Sequence, residues 1–217
     1  MLKLSFGETA QGPATVLCLG AHCDDIEIGC GGAILRLLEE HPQVSLWWVV
    51  LSANDERERE ARSSADVFLK AAVSPRIVVK RFRNGFFPSV IAEIKEFFEE
   101  LKGEVSPDLI FSHYLQDLHQ DHRTVAELTW NTFRDHMILE YEIPKYDGGL
   151  GSPNFFVPLG DAQREAKVKT LMTQFASQKQ KQWFTPETFD GLARLRGIEC
   201  NAPSGYAEAF YCRKAVY

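Results

Sequence analysis

Long apolar runs are missing from this chain, and no segment approaches the roughly 18–20 residues that a membrane-spanning helix needs. A basic excess is missing too. Lys and Arg number 24 against 30 Asp and Glu, a net charge of −6, so no cationic stripe argues for nucleic acid. Cysteine is scarce. The five residues (18, 23, 30, 200 and 212) are odd in number and form no Cys-x-x-Cys pair, which excludes a disulfide scaffold and suits a reducing cytoplasm. Cys18, Cys200 and Cys212 are expected to be small buried hydrophobes. The opening Met-Leu-Lys-Leu-Ser-Phe-Gly has no charged stretch leading into an apolar core, so no signal peptide is read there. Repeats, low-complexity tracts and linkers are absent. With 217 residues, 45% of them hydrophobic, the chain is read as one domain, 1–217, with a large core.

What the sequence does contain is an alternation of strand and helix signals. Thr15-Val16-Leu17-Cys18-Leu19-Gly20-Ala21 and Val44-Ser45-Leu46-Trp47-Trp48-Val49-Val50-Leu51 are continuous apolar runs, as in strands buried on both faces. Shorter strands are read around Arg76–Val79 and Asp108–Ser112. Between them, Ile34/Leu35/Leu37/Leu38, Ala61/Ala65/Phe68/Leu69 and Ile91/Ile94/Phe98/Leu101 recur at helical spacing, and Gly103 is expected to end the third of these helices. Val125, Leu128 and Phe133 mark a fourth. Tyr141-Glu142-Ile143 and Phe155-Phe156-Val157 read as strands flanking a Gly/Pro-rich loop. Val168, Leu171, Met172 and Phe175 make a core stripe, and Tyr206 to Cys212 a final strand.

Repeated β-α-β units imply an α/β fold: a Rossmann-like, doubly wound, mainly parallel sheet with helices on both faces. In a 3-2-1-4-5 order the first and fourth strands are neighbours where the winding reverses, and the loops after them flank one crevice. Those loops carry His22-Cys23-Asp24-Asp25 and His119-Gln120-Asp121-His122. Imidazole and carboxylate together suit a divalent metal such as zinc. His22, Asp25 and His122 would supply three ligands and leave a position open for water, the arrangement of a catalytic zinc. Gly29, Gly31 and Gly32 are no dinucleotide fingerprint. Close helix-to-strand packing accounts for them better.

Ala-His-Cys-Asp-Asp-Ile-Glu-Ile-Gly-Cys-Gly-Gly (21–32) and His-Gln-Asp-His (119–122) resemble the Ala-His-Pro-Asp-Asp-Glu and His-x-Asp-His signatures of the LmbE/PIG-L family of zinc-dependent N-acetylglucosaminyl deacetylases. Arg57-x-x-Glu60-Ala61 and Tyr206-Ala207-Glu208-Ala209-Phe210 fall where members carry similar residues. The resemblance implies Zn²⁺ on His22, Asp25 and His122, with Asp24 as general base. It also implies that His119 polarises the amide carbonyl, and that Asp121 orients His119 and keeps it protonated. Arg57 would sit at the mouth of the site, and Asp117 and Asn154 are expected to hydrogen-bond sugar hydroxyls. The implied partner is a small N-acetylated sugar or sugar conjugate, with no nucleic acid and no membrane span. Whether the chain forms a homo-oligomer is left open.

Cys23 departs from the family, which carries proline there. A thiolate beside His22 could bind zinc, but it is read as a spacer, because a fourth protein ligand would close the water position. Glu27 is read as an acid favoured at a helix N-terminus rather than as a ligand. His113 is given a structural role, and His41 and His136 are placed at the surface. The competing reading, a metal- or nucleotide-binding module without hydrolysis, would require neither Asp24 nor His119.

Overall fold

The structure is a computed structural model, and it describes residues 8–9 and 12–216. Residues 1–7, read above for a signal peptide, lie outside the described residues. A two-residue ladder of β1 (Glu8–Thr9) and β2 (Gly12–Pro13) precedes the main fold. Then come β3 (Thr15–Gly20), α1 (Asp25–Glu40), β4 (Ser45–Val50), α2 (Asp55–Phe68) and β5 (Arg76–Val79). A 3₁₀ turn at Phe87–Val90 leads into α3 (Ile91–Glu104), β6 (Leu109–His113), α4 (Gln120–Thr132) and β7 (Met137–Tyr141). The fold ends with β8 (Phe155–Pro158), α5 (Asp161–Gln174), α6 (Pro186–Glu199) and β9 (Ala207–Cys212).

One seven-stranded sheet runs β5-β4-β3-β6-β7-β9-β8. Its first five strands are parallel, in the expected 3-2-1-4-5 order, and β9 and β8 add antiparallel at the far side. Alternate residues of the continuous apolar strands serve opposite faces. Val16, Cys18, Trp48 and Phe111 pack with Ile34, Phe68 and Leu171. Leu17, Leu19, Val49 and Ile110 pack with Phe98, Leu101 and Val125. Both faces are therefore covered, and α1, at the centre of the first layer, delivers its N-terminus to the switch point between β3 and β6.

α1 lies unusually close to its neighbours. A Cβ at Gly29 would sit 2.1 Å from the Tyr141 ring, and one at Gly31 would sit 2.7 Å from Phe68. A buried ion pair also grips the middle of the helix. Glu208 on β9 accepts the N–H groups of Gly32 (2.8 Å) and Ala33 (2.7 Å). Lys167 on α5 donates to Glu208 (2.6 Å) and to the carbonyl of Ile28 (2.6 Å). Removing one partner leaves the other charge buried and alone, so Glu208→Ala should lose about 3–5 kcal/mol of stability. Urea unfolding measures this, and a loss below ~1 kcal/mol would mean that water replaces the carboxylate.

Two elements run differently from the sequence reading, and one helix has no counterpart in it. The strand placed at Tyr141–Ile143 is β7, Met137–Tyr141, which pairs residue by residue with β6. At Glu142 the chain leaves the sheet and the side chain turns to Arg196 (2.7 Å). α3 runs through Gly103, because Val105 N–H still reaches the Leu101 carbonyl and nothing crowds the glycine. α6 is the helix without a counterpart, although Thr185 caps it and Pro186 opens it. Cys18 and Cys200 are buried as expected, whereas Cys212 is half-buried.

Candidate metal centre and active site

The β3–α1 turn and the start of α4 bring the two clusters into contact. His22 Nδ1 lies 3.2 Å from His122 Nε2 and 3.3 Å from Asp25 Oδ2, and His122 Nε2 lies 3.6 Å from Asp25 Oδ1. Bonds of about 2.0–2.1 Å to a small divalent metal place tetrahedral ligand atoms roughly 3.3–3.4 Å apart. The two histidine nitrogens match that spacing, and Asp25 faces them through different oxygens, Oδ2 toward His22 and Oδ1 toward His122, so one rotation of its carboxylate would complete a fit to a metal.

The outer nitrogens of both histidines are held by carboxylates. His22 Nε2 is 3.2 Å from Asp121 Oδ2, and His122 Nδ1 is 3.0 Å from Asp117 Oδ2. A carboxylate behind the imidazole fixes the proton on the far nitrogen and leaves the inner lone pair for a cation. The two rings differ in charge, and only His122 has its inner lone pair free without losing a proton. Burial opposes a proton on His22, but Asp25, Asp121 and Asp24 outweigh it and raise its pKa to about 10. Burial, then the neighbouring His113, lowers His122 to about 3, so it is a neutral imidazole. Asp25 is held well below the usual carboxylate range, against its burial, by His122, His113 and His22.

Two overlapping groups have metal-ligating atoms within 4.8 Å of one another, His22/His119/His122 and Asp25/His113/His122. His113 is the weaker candidate, because its Nε2 lies 2.9 Å from the Ala21 N–H and 3.3 Å from the Tyr141 hydroxyl. A ring nitrogen that accepts a backbone N–H has no lone pair left for a metal. His113 instead lies 3.2 Å from Asp25 and stacks on His122. Its structural role stands, with contact to the site added.

Several expected roles change. Asp121 does not reach His119. Its carboxylate accepts the N–H groups of Gly85 (2.6 Å) and Phe87 (3.1 Å) as well as facing His22. His119 is the N-cap of α4, and its Nδ1 accepts the Asp121 N–H at 3.2 Å. Burial, then the charge on His22, lowers the His119 pKa. With Nδ1 an acceptor, the neutral ring carries its proton on Nε2. Asp117 is buried and holds His122 (3.0 Å), Lys145 (2.7 Å) and the His119 N–H (2.7 Å). Asn154 is spent on the backbone of Cys212, donating to its carbonyl and accepting its N–H. Neither Asp117 nor Asn154 lines the cavity described below.

Asp24 occupies the N-cap position of α1 without capping it. Its Oδ1 instead accepts from Arg57 Nη2 at 2.5 Å. Arg57 also meets Ser177 (3.1 Å) and Glu60 (3.5 Å) and lies over Phe175. It is therefore a clamp on Asp24 inside the site rather than a free arm at its mouth. Glu27 is fully buried with neither oxygen hydrogen-bonded, and burial pushes its pKa up to about 8. It lies in the first turn of α1, as read, but buried, and burial favours its neutral form.

Cys23 turns away from the metal triangle. Its Sγ donates to the Ser52 carbonyl at 3.3 Å, and burial, foremost, raises its pKa to about 12. Cys23→Pro should therefore keep the metal content and leave turnover within a few-fold, read by metal analysis and rate on the same sample. Metal lost from a folded variant would make the thiol a ligand.

A cavity of about 640 Å³ opens beside the triangle, within the range of small-molecule sites. His22, Asp24, Asp25, His119 and His122 form part of its wall. Arg83, Gln178, Lys181 and Trp183, from loops with no sequence motif, form another part.

The chain thus joins a doubly wound α/β sheet to a cluster of His and Asp side chains at its switch point that could hold a metal ion. Residues 17–133 match the PIG-L family, described as GlcNAc-PI de-N-acetylase, and the chain belongs to that family. Membership makes it an amidohydrolase of the deacetylase type. Solved structures share the fold. N,N'-diacetylchitobiose deacetylase from Pyrococcus horikoshii is 19% identical with a TM-score of 0.64, over 92% of this chain and 83% of that one. A zinc-inhibited form of teicoplanin deacetylase Orf2 is 13% identical with a TM-score of 0.68, over 91% and 97%. The 4-carboxy-2-hydroxymuconate hydratase GalB from Pseudomonas putida is 15% identical with a TM-score of 0.73, over 94% and 98%. The fold thus also carries hydration chemistry. Among the described residues, no helix is long and apolar enough to cross a membrane.

Proposed function

We propose that this protein is a zinc-dependent deacetylase that hydrolyses the acetamide of an N-acetylglucosamine-type sugar. The observation that carries the reading is the division of labour between adjacent carboxylates. Asp25 joins the metal triangle, while Asp24 is buried at the cavity wall, bound to Arg57 and absent from the triangle. A site that only held a metal would not need it. His22, Asp25 and His122 would hold the zinc, which supplies Lewis acidity to the water and to the amide carbonyl.

The chain's own groups do the rest. Asp24 Oδ1 is fixed by Arg57, so Oδ2 takes the proton of the attacking water and later returns it to the leaving amine. His119 donates Nε2–H to the carbonyl oxygen as charge develops on it. The N-cap bond to Nδ1 sets that tautomer, so no imidazolium is required. Asp121 and Asp117 hold the ligand imidazoles in their metal-accepting tautomers. Trp183 offers an apolar face to a sugar ring, and Gln178 Oε1, buried and without a hydrogen-bond partner, offers an acceptor to a substrate donor. A cytoplasmic location fits the free cysteines.

Acetate release from a panel of N-acetylated amino sugars tests this, using protein loaded with one zinc per chain. Turnover of at least one member is expected. Acetate from none of them, together with hydration of an unsaturated acid, would replace the reading with the hydratase chemistry found on the same fold.

A further inference from the structure

Glu60, on α2, is buried and holds the 3₁₀ turn Ala176–Gln178 that follows α5. Its Oε1 accepts the Ser177 N–H at 2.8 Å, and its Oε2 accepts the Ser177 hydroxyl at 2.6 Å. The same hydroxyl oxygen receives two further hydrogen bonds. Arg57 Nη1 donates to it at 3.1 Å and Gln178 Nε2 at 2.9 Å. A serine hydroxyl has one proton and two lone pairs, so Ser177 has no capacity left. Phe175, just before the turn, lies against the Arg57 guanidinium and steadies it from a second side.

The direction of every bond in this chain follows from its first member. A carboxylate accepts and cannot donate, so the single Ser177 proton goes to Glu60. Only lone pairs then remain for Arg57 and Gln178, and both must donate. Arg57 carries only donors. The Gln178 amide has a donor end and an acceptor end, and only its NH₂ fits toward Ser177. Turned over, its carbonyl oxygen would face the serine oxygen with no hydrogen between them. Oε1 is therefore the end left over, buried and without a partner, on a side chain that lines the cavity. Arg57 carries the chain across to the other side of the site, where Nη2 donates to Asp24 Oδ1. One hydroxyl behind the cavity wall thus touches both the clamp on the base and the amide that faces the ligand. Ser177 and Gln178 lie beyond the matched residues 17–133, and no motif marks them.

We propose that Ser177, its proton fixed by Glu60, is a positioning residue that sets two things together: the orientation of Arg57 behind Asp24, and the polarity of the Gln178 amide. Gln178 then meets the sugar as an acceptor and selects an N–H or O–H at that point. The inference rests on the deacetylase reading and adds how base and substrate contact are held in one geometry.

The test measures acetate release from methyl N-acetylglucosaminide by zinc-loaded protein, in single and double variants. Ser177→Ala loosens Arg57 and lets the amide turn. Its kcat should fall and its KM rise, each about three- to tenfold, the size of a lost hydrogen bond. Ser177→Thr keeps the hydroxyl and should return both constants to within about twofold of the parent. Gln178→Met should raise KM about tenfold and spare kcat, since it removes a contact made before and during the chemical step alike. In the Ser177→Ala background the same change should add less than about twofold in KM, because the amide it removes is no longer aimed. Glu60 lines no part of the cavity, yet Glu60→Gln places an NH₂ that can donate to Ser177 and reverse the chain. Its KM should rise as in Ser177→Ala. Zinc per chain and melting temperature separate these effects from loss of the fold. Parental constants in folded Ser177→Ala or Glu60→Gln, or full additivity of the Ser177 and Gln178 changes, overturns the inference and leaves the deacetylase reading standing. No acetate from the parent removes both.

Discussion

His122→Ala should empty the metal site and end turnover. The ring supplies the inner Nε2 of the triangle, 3.2 Å from His22 Nδ1 and 3.6 Å from Asp25, and no neighbour can move into its place. His113 is pinned by the Ala21 N–H, and His119 is tied to the first turn of α4. Asp117→Ala provides the graded comparison, since losing the carboxylate behind a ligand histidine costs roughly 10–100-fold in metal affinity. The ligand variant should lose more than that. Metal per chain and dissociation constants, measured on folded protein, check both. A full equivalent of metal in His122→Ala would move the centre to another set of donors.

Asp24→Asn should have the opposite signature: metal retained and catalysis lost. An amide oxygen can still accept from Arg57, so the clamp and the helix start survive, but the group no longer takes a proton. Removing a general base costs about 10²–10⁴ in rate. The loss should appear in kcat, with metal content and melting temperature close to those of the parent. A rate within a few-fold of the parent would eliminate Asp24 as base and leave the water to be activated by the metal alone.

The two loops that meet at the site were legible because strands buried on both faces leave unbroken apolar runs, and because winding reverses between the first and fourth of them. The histidines and aspartates were legible because short motifs keep them together in the chain. The partners were not, because they are set by distant backbone. Asp121 faces His22 rather than His119 because the Gly85 and Phe87 amides, in the loop after β5, draw its carboxylate. Asp117 faces His122 and is also bound by Lys145, from the loop after β7. Asn154 carries a polar amide suited to a sugar, yet the free backbone of Cys212 claims it. α6 is not legible in the sequence because its apolar residues do not form one stripe. Phe189 and Ala193 are buried, while Leu195 and Ile198 stand exposed, and so the period is blurred.

The grip of Glu208 on α1 has a consequence for the order in which the molecule is made. The helix that presents Asp24 and Asp25 emerges early in synthesis, but the carboxylate bound to its middle lies 176 positions later than Gly32. β9, which carries that carboxylate, is not added at the margin of the sheet; it slots between β7 and β8. A chain interrupted after α6 would therefore hold every proposed metal ligand and the proposed base, with Lys167 left facing an unbraced helix. Such a product could capture metal without the geometry to use it. Competence thus arrives with the final strand, and a frameshift far from the motifs would be as damaging as a change within them.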